Sequence, residues 1–305
     1  MLPARTECGA ASRGCQARTR RTASRPDRGA PAHGRAARCT EVAACETVEP
    51  VATTTLLKLV LAPVLILIAT LAGRRWGPAV GGWLAGLPLT SGPVSFILAL
   101  EQGPGFAARA AIGTLFGLVS LALFCLAYGA TSRRAEWPRC LAAALGAFAL
   151  STLVFRGATM SIGLAFTVVC TVLAGVGALM AGGPPPRPPR RLLPGDLAVR
   201  MAIAALLVLV LTSVAATLGP ALAGSLSPIP VFGAILAVFA HRDQGGAAAS
   251  QLLRGMVLGS FGFATFMLVV GSLLDRLAVG PAYAIASASA LGVHGLSLSV
   301  IRRVI

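Results

Sequence analysis

Residues 57–129 return at 199–271 without a gap, each position reappearing 142 residues later. Gly77-Pro78-Ala79 comes back as Gly219-Pro220-Ala221, and Gly82, Leu84 and Pro88 come back as Gly224, Leu226 and Pro230. Glu101-Gln102-Gly103 comes back as Asp243-Gln244-Gly245. Gly113, Gly117, Phe124 and Gly129 become Gly255, Gly259, Phe266 and Gly271. Chance matches of Ala and Leu are common in a chain this rich in them, but shared Gly, Pro and Gln positions are not. The same supersecondary unit must therefore be built twice. Both copies are apolar throughout, which places the repeat inside a membrane protein.

Composition agrees. The 305 residues are 56% hydrophobic and 12% charged, against about 25% charged in a soluble domain. Mean hydropathy is +0.80, and apolar runs of about 20 residues, the length that crosses a bilayer, recur along the chain. The formal charge of +16 does not signal nucleic acid, because the arginines lie in short loops between apolar spans, as a cytoplasmic membrane face requires. Cys125, Cys140 and Cys170 lie in or beside apolar segments and have no metal or redox spacing, so they read as small core residues.

Residues 1–50 differ from the rest. They hold nine arginines and four of the seven cysteines but no apolar run. A secretory signal lacks its apolar region here, and five acids (Glu7, Asp27, Glu41, Glu46, Glu49) oppose a transit peptide. The segment reads as disordered and basic. The favoured expectation is translated upstream sequence of a GC-rich gene with the natural start at Val51; the alternative is a basic tail meeting anionic lipid. A natural peptide covering Arg18–Arg38 would refute the first.

The expected fold class is all-α: a polytopic membrane protein of about nine transmembrane helices, with two inverted-topology four-helix repeats plus one extra helix. The spans fall at roughly 54–72, 77–101, 105–129, 138–155, 159–181, 197–217, 219–241, 247–273 and 280–301. The domains follow as repeat A over 51–155, an extra helix over 156–181, a Pro/Arg linker over 182–196 and repeat B over 197–305. Proline density in the linker (GGPPPRPPRRLLPGD) favours an extended connector. Equivalent helices are five crossings apart, an odd number, so the second copy enters from the opposite side and a pseudo-two-fold axis lies in the membrane plane. Loop charges agree. Arg74 and Arg75 are matched by Ala216 and Thr217, while Arg133, Arg134 and Arg139 face a partner loop with only Arg276 beside Asp275. His241 and Arg242, the linker arginines and Arg302 and Arg303 fall on the richer side. The expected location is the inner (plasma) membrane, with the N-terminus outside and the C-terminus cytoplasmic.

The second and seventh helices each carry two prolines near the middle: Pro88 and Pro93 in one, Pro228 and Pro230 in the other. Proline removes a donor and clashes with the preceding turn, so carbonyls lose their partners. In lipid these must be satisfied by protein, water or solute. Paired breaks in both halves point to a transporter's central site. Pro88, Thr90, Ser91, Ser227 and Pro230 are the candidate residues there, although the hydroxyls can equally cap local backbone. The pairs Gly77/Gly81, Gly82/Gly86, Gly113/Gly117 and Gly255/Gly259 read as close helix-packing positions.

Glu101 and Asp243, at the ends of the broken helices, read either as interfacial turns or as symmetric gating or proton-coupling groups. Lys58 and Arg200 read as snorkelling cations. Arg254, about two turns into its helix, is the best candidate for a buried cation, either facing an anionic solute or pairing with Asp243. His294, near the middle of the ninth helix, reads as a packing residue or a solute and proton contact. No G-x-S-x-G, H-E-x-x-H, carboxylate cluster or Cys/His metal set is present, so neither an enzyme nor a cofactor is expected.

The unit GPAVGGWLAGLPLTSGP…LEQG resembles the small four-helix bacterial inner-membrane proteins of the GlpM-like kind, over 57–155 and more weakly over 199–300. The resemblance rests on Gly and Pro positions and implies location and topology. By architecture alone the nine-helix inverted plan is also similar to drug/metabolite-type transporters. The expected function is a secondary transporter or exporter of a small solute; a non-transporting membrane scaffold or assembly factor, or a lipid enzyme, is the alternative. Expected partners are the lipid bilayer and a small-molecule or ion substrate. Nucleic acid is excluded, and a homo-oligomer is left open.

Overall fold

The computed structural model describes residues 63–88, 91–155, 157, 160–188, 195, 198–199, 201–203, 206 and 230–304. Residues 1–50, Lys58, Thr90, Arg200, Ser227, Pro228 and the first half of the seventh expected helix lie outside the described residues. Among the described residues there are helices and no strands: α1 (63–76), α2 (Pro78–Ala85), α3 (Ser91–Gln102), α4 (Pro104–Thr131), α5 (Trp137–Val154), α6 (Ile162–Leu179), α7 (Val231–Gln244), α8 (Gly246–Leu273) and α9 (Val279–Val304).

Four of these, α4, α5, α6 and α8, are each long and apolar enough to cross a membrane. In α6 the most apolar window has mean hydropathy 2.3, yet only 28% of it is buried. An exposed face of that kind, with Leu164 and Leu179 pointing outward, is stable in lipid and not in water. The molecule is built as an integral membrane protein. The span expected over 77–101, with its break at the prolines, is two short helices, α2 ending at Ala85 and α3 beginning at Ser91. α9 is 26 residues long, and its serines, glycines and His294 make it more polar than the other long helices.

The duplication is visible in local structure. α4 and α8 are both 28 residues long and begin and end 142 positions apart, and α5 and α9 begin 142 apart. Each long helix starts after a left-handed glycine in an extended-ψ conformation: Gly103 at φ 87°, ψ 161° and Gly245 at φ 86°, ψ 174°. That conformation is open mainly to glycine, which is why Gln-Gly occurs in both copies. The far ends match too. Ser132 N–H donates to the Tyr128 carbonyl at 2.9 Å, and Leu274 N–H donates to that of Val270 at 3.1 Å.

α8 is the central element, packing on α2, α9, α4, α7 and α6. It runs antiparallel to its repeat partner α4. A Cβ on Gly129 would stand 3.2 Å from Ser250 Oγ, and one on Gly271 would stand 3.3 Å from Ala111 Cβ. α2 lies parallel to α8 at backbone contact. A Cβ on Gly82 would overlap the Leu252 carbonyl, one on Gly255 that of Ala79, and one on Gly86 would stand 2.7 Å from the Met256 carbonyl. Glycine is what allows the two backbones to meet. The packing expectation holds for Gly81, Gly82, Gly86, Gly255 and Gly259. It fails at Gly77 and Gly113, around each of which a Cβ would meet nothing within 4 Å.

Candidate functional site

α2 ends in a turn at Gly86, and its chain continues through Leu87 and Pro88 to a new helix at Ser91. The Pro88 carbonyl accepts Gly92 N–H at 2.7 Å, and the Pro230 carbonyl accepts Ala234 N–H at 2.8 Å. The two prolines therefore do the same job. Each supplies an early acceptor of the helix that follows it, and a residue without an N–H is tolerated there. Pro230 is the N-cap of α7, at φ −77°, ψ 61°.

The end of α2 and the start of α7 come together at one place. A small apolar cavity of about 80 Å³ is lined by Leu65 and Ile68 of α1, Leu84 and Leu87 of the first break, and Phe232 two residues after Pro230. At about 30 Å³ per water in the liquid, its volume suits two or three water-sized groups.

His294 stands on the α8 and α9 side of the same break. It is 2% exposed. Its Nδ1 lies 3.1 Å from the Gly259 carbonyl, so Nδ1 carries the hydrogen and donates. In the neutral ring Nε2 is then an acceptor, and it has no hydrogen-bond partner among the described residues. A Cβ on Gly259 would lie 3.1 Å from His294 Cε1 and 3.2 Å from Gly86 Cα, so the imidazole sits where α2 stops. The Trp83 indole stacks on it with centroids 3.9 Å apart and planes at 18°. Trp83 Nε1–H donates to Ser297 Oγ at 2.8 Å and lies 3.2 Å from the His294 carbonyl oxygen. The Ser297 hydroxyl donates to that carbonyl at 2.7 Å. The ring is held by the Gly259 carbonyl and the Trp83 face, and its Nε2 is unpartnered among the described residues.

The other expected site residues are distributed. Arg254 is half-buried, and its Nε–H donates to the Gly177 carbonyl of α6 at 3.2 Å. Glu101 is exposed at the end of α3, and Asp243 is half-buried in the last turn of α7. These two carboxylates lie at opposite ends of the antiparallel α4–α8 pair, as expected for groups that do not act together. Ser91 opens α3. Trp83, Ser297 and the Ser95–Tyr283 hydroxyl pair, 2.7 Å apart, were not anticipated. At the 142-residue offset, Trp83 is matched by Ser225, Ser297 by Phe155, Ser95 by Ala237 and Tyr283 by Leu141. None of the four is kept in the other copy, so the duplication singled none of them out.

At the other pole, the α4–α5 turn, the linker and the α7–α8 turn surround an open basin of about 830 Å³. Among the described residues no group of three or more His, Cys, Asp or Glu could hold a metal ion. Compared with known proteins, the chain matches no family model, no curated protein and no solved structure.

Proposed function

We propose that the protein is a secondary transporter or exporter of a small solute, built from two inverted-topology repeats and working by alternating access. One observation carries the reading: the end of α2, just before Pro88, and the proline-started α7 meet at a small apolar cavity, and on the α8 and α9 side of the end of α2 stands a buried histidine whose Nε2 has no partner among the described residues. Discontinuous helices meeting at mid-depth are how transporters expose backbone carbonyls and helix starts to a solute. In this reading Pro88, Ser91 and Pro230 belong to the helix starts next to the site, Thr90 and Ser227 are assigned to it by sequence, His294 is its polar contact, and Glu101 and Asp243 belong to its two mouths.

Inversion is supported by the α4–α8 contact. Gly129 meets Ser250 and Gly271 meets the Ala108–Ala111 turn. Position 250 is the repeat partner of 108, so the two contacts exchange under the 142-residue offset, as a two-fold axis perpendicular to the helices requires. Orientation is supported by the arginines. Arg133, Arg134, Arg187 and Arg242 gather at one pole, which the positive-inside rule makes cytoplasmic. The N-terminus would then be outside and the C-terminus inside, and a C-terminal reporter should read as cytoplasmic. Of the glycine faces the scaffold alternative would offer to partner helices, those of Gly82, Gly86, Gly255 and Gly259 are taken up by the α2–α8 contact, while Gly113 stays open.

The test is accessibility of Leu87→Cys to membrane-impermeant maleimides in intact cells and in inverted vesicles. Alternating access predicts modification from both faces, in proportions that shift with pH or solute. Modification from one face only under every condition, or from neither, would overturn the reading. A thermal-shift screen of the purified protein against ions and metabolites at two pH values then identifies the solute.

A further inference from the structure

The basin at the arginine-rich pole is more than a set of charged loops. Three segments distant in sequence build it. The α4–α5 turn contributes Arg133 and Arg134, the linker contributes Arg187, and the end of α7 contributes His241 and Arg242. The linker is tied to the third segment by Arg187 N–H donating to the Gln244 carbonyl at 3.3 Å. The Arg187 guanidinium stem passes within 3.8–4.0 Å of where a Gly245 Cβ would be, and Arg133 Nη2 stands 3.6 Å from the same point on Gly183. The four arginines are exposed. Gly245, Gly246 and Ala247, the start of the 28-residue α8, also line the basin, which adds the positive end of a helix dipole to the four cations. The one carboxylate in the lining is Glu136, and Asp243 follows Arg242 in sequence.

We infer that this basin binds a phosphate-bearing anion. Guanidinium forks match phosphate oxygens in pairs, and four of them converging from separate segments exceed what orientation in a membrane needs. The volume is that of a site for a small organic ligand rather than a bare ion. Two sources share this chemistry: a soluble phosphorylated compound and an anionic lipid headgroup at the bilayer surface. Such binding does not depend on transport.

The test uses the full-length purified protein with two probes, sodium pyrophosphate in detergent and phosphatidylglycerol in nanodiscs against phosphatidylcholine. Binding is read by isothermal titration and by shift of the melting temperature. Binding of pyrophosphate marks a soluble ligand, and selective binding of phosphatidylglycerol marks a headgroup; either supports the inference. Arg134→Gln with Arg242→Gln should weaken binding by about tenfold per guanidinium removed, with an unchanged elution profile and melting temperature without ligand. Raising sodium chloride from about 50 to about 300 mM should weaken it further. Arg276→Gln, in the α8–α9 turn at the opposite pole, should leave binding intact. Absence of binding by both probes, or equal loss in Arg276→Gln, would overturn the inference.

Discussion

At the scale of single residues, the duplication hides an asymmetry. Gly113 and Gly255 are repeat partners, yet a Cβ on Gly255 would drive into the Ala79 carbonyl and one on Gly113 would meet nothing. The backbone of α2 cannot yield as a flexible side chain would. Gly255→Ala should therefore cost about 1–3 kcal/mol or more, read as a lower melting temperature in detergent, while Gly113→Ala should be neutral or slightly stabilising through its better helix propensity. Equal effects at the two positions would contradict the α2–α8 contact. Trp83 is the second residue of note. Trp83→Phe keeps an aromatic face over His294 but removes the donor to Ser297, so the expected loss is about 1 kcal/mol. Trp83→Ala also removes the packed ring and should cost about 3–5 kcal/mol.

At the scale of elements, the turn before each long helix is the part of the repeat most tightly specified. Gly103 and Gly245 share a positive φ, and around Gly103 a Cβ would touch nothing within 4 Å. Its substitution thus isolates conformational strain from crowding. Gly103→Ala should destabilise by about 1–2 kcal/mol, measured as an earlier thermal transition, and an unchanged transition would show that the turn is not held at positive φ. The broken helices follow a related logic. α3 and α7 each begin just after a proline whose carbonyl is an early acceptor, and neither is long enough alone to cross a bilayer at 12 and 14 residues. The unpaired end of a helix is expensive in an apolar setting unless another group meets it, and in both helices a proline carbonyl takes an early N–H.

At the scale of the whole molecule, the antiparallel α4–α8 pair sets the geometry, and it can be locked. Ala111→Cys with Gly271→Cys should form a disulfide, since the Cβ positions lie near the distance such a bond requires. Gly129→Cys with Gly271→Cys should not, because those partners lie at opposite ends of helices about 42 Å long. The crosslinked peptides are identified by mass spectrometry, and the reverse outcome would mean that the two copies run parallel. Much of this plan was legible in the residues themselves. Apolar run length showed helices able to cross a membrane, the 142-residue offset recurs in the starts and ends of α4 and α8, and Pro88 and Pro230 marked where helices begin. These properties are local: hydropathy, proline's missing donor and glycine's left-handed φ act within a few residues of chain. Which residues meet across the molecule is another matter. Nothing along the chain distinguishes Gly255 from Gly113, joins Trp83 to His294, or gathers Arg133, Arg187 and Arg242 around one basin. Those depend on how helices distant in sequence are turned and stacked, and the symmetric pattern that made the repeat visible drew attention away from the residues present in one copy only.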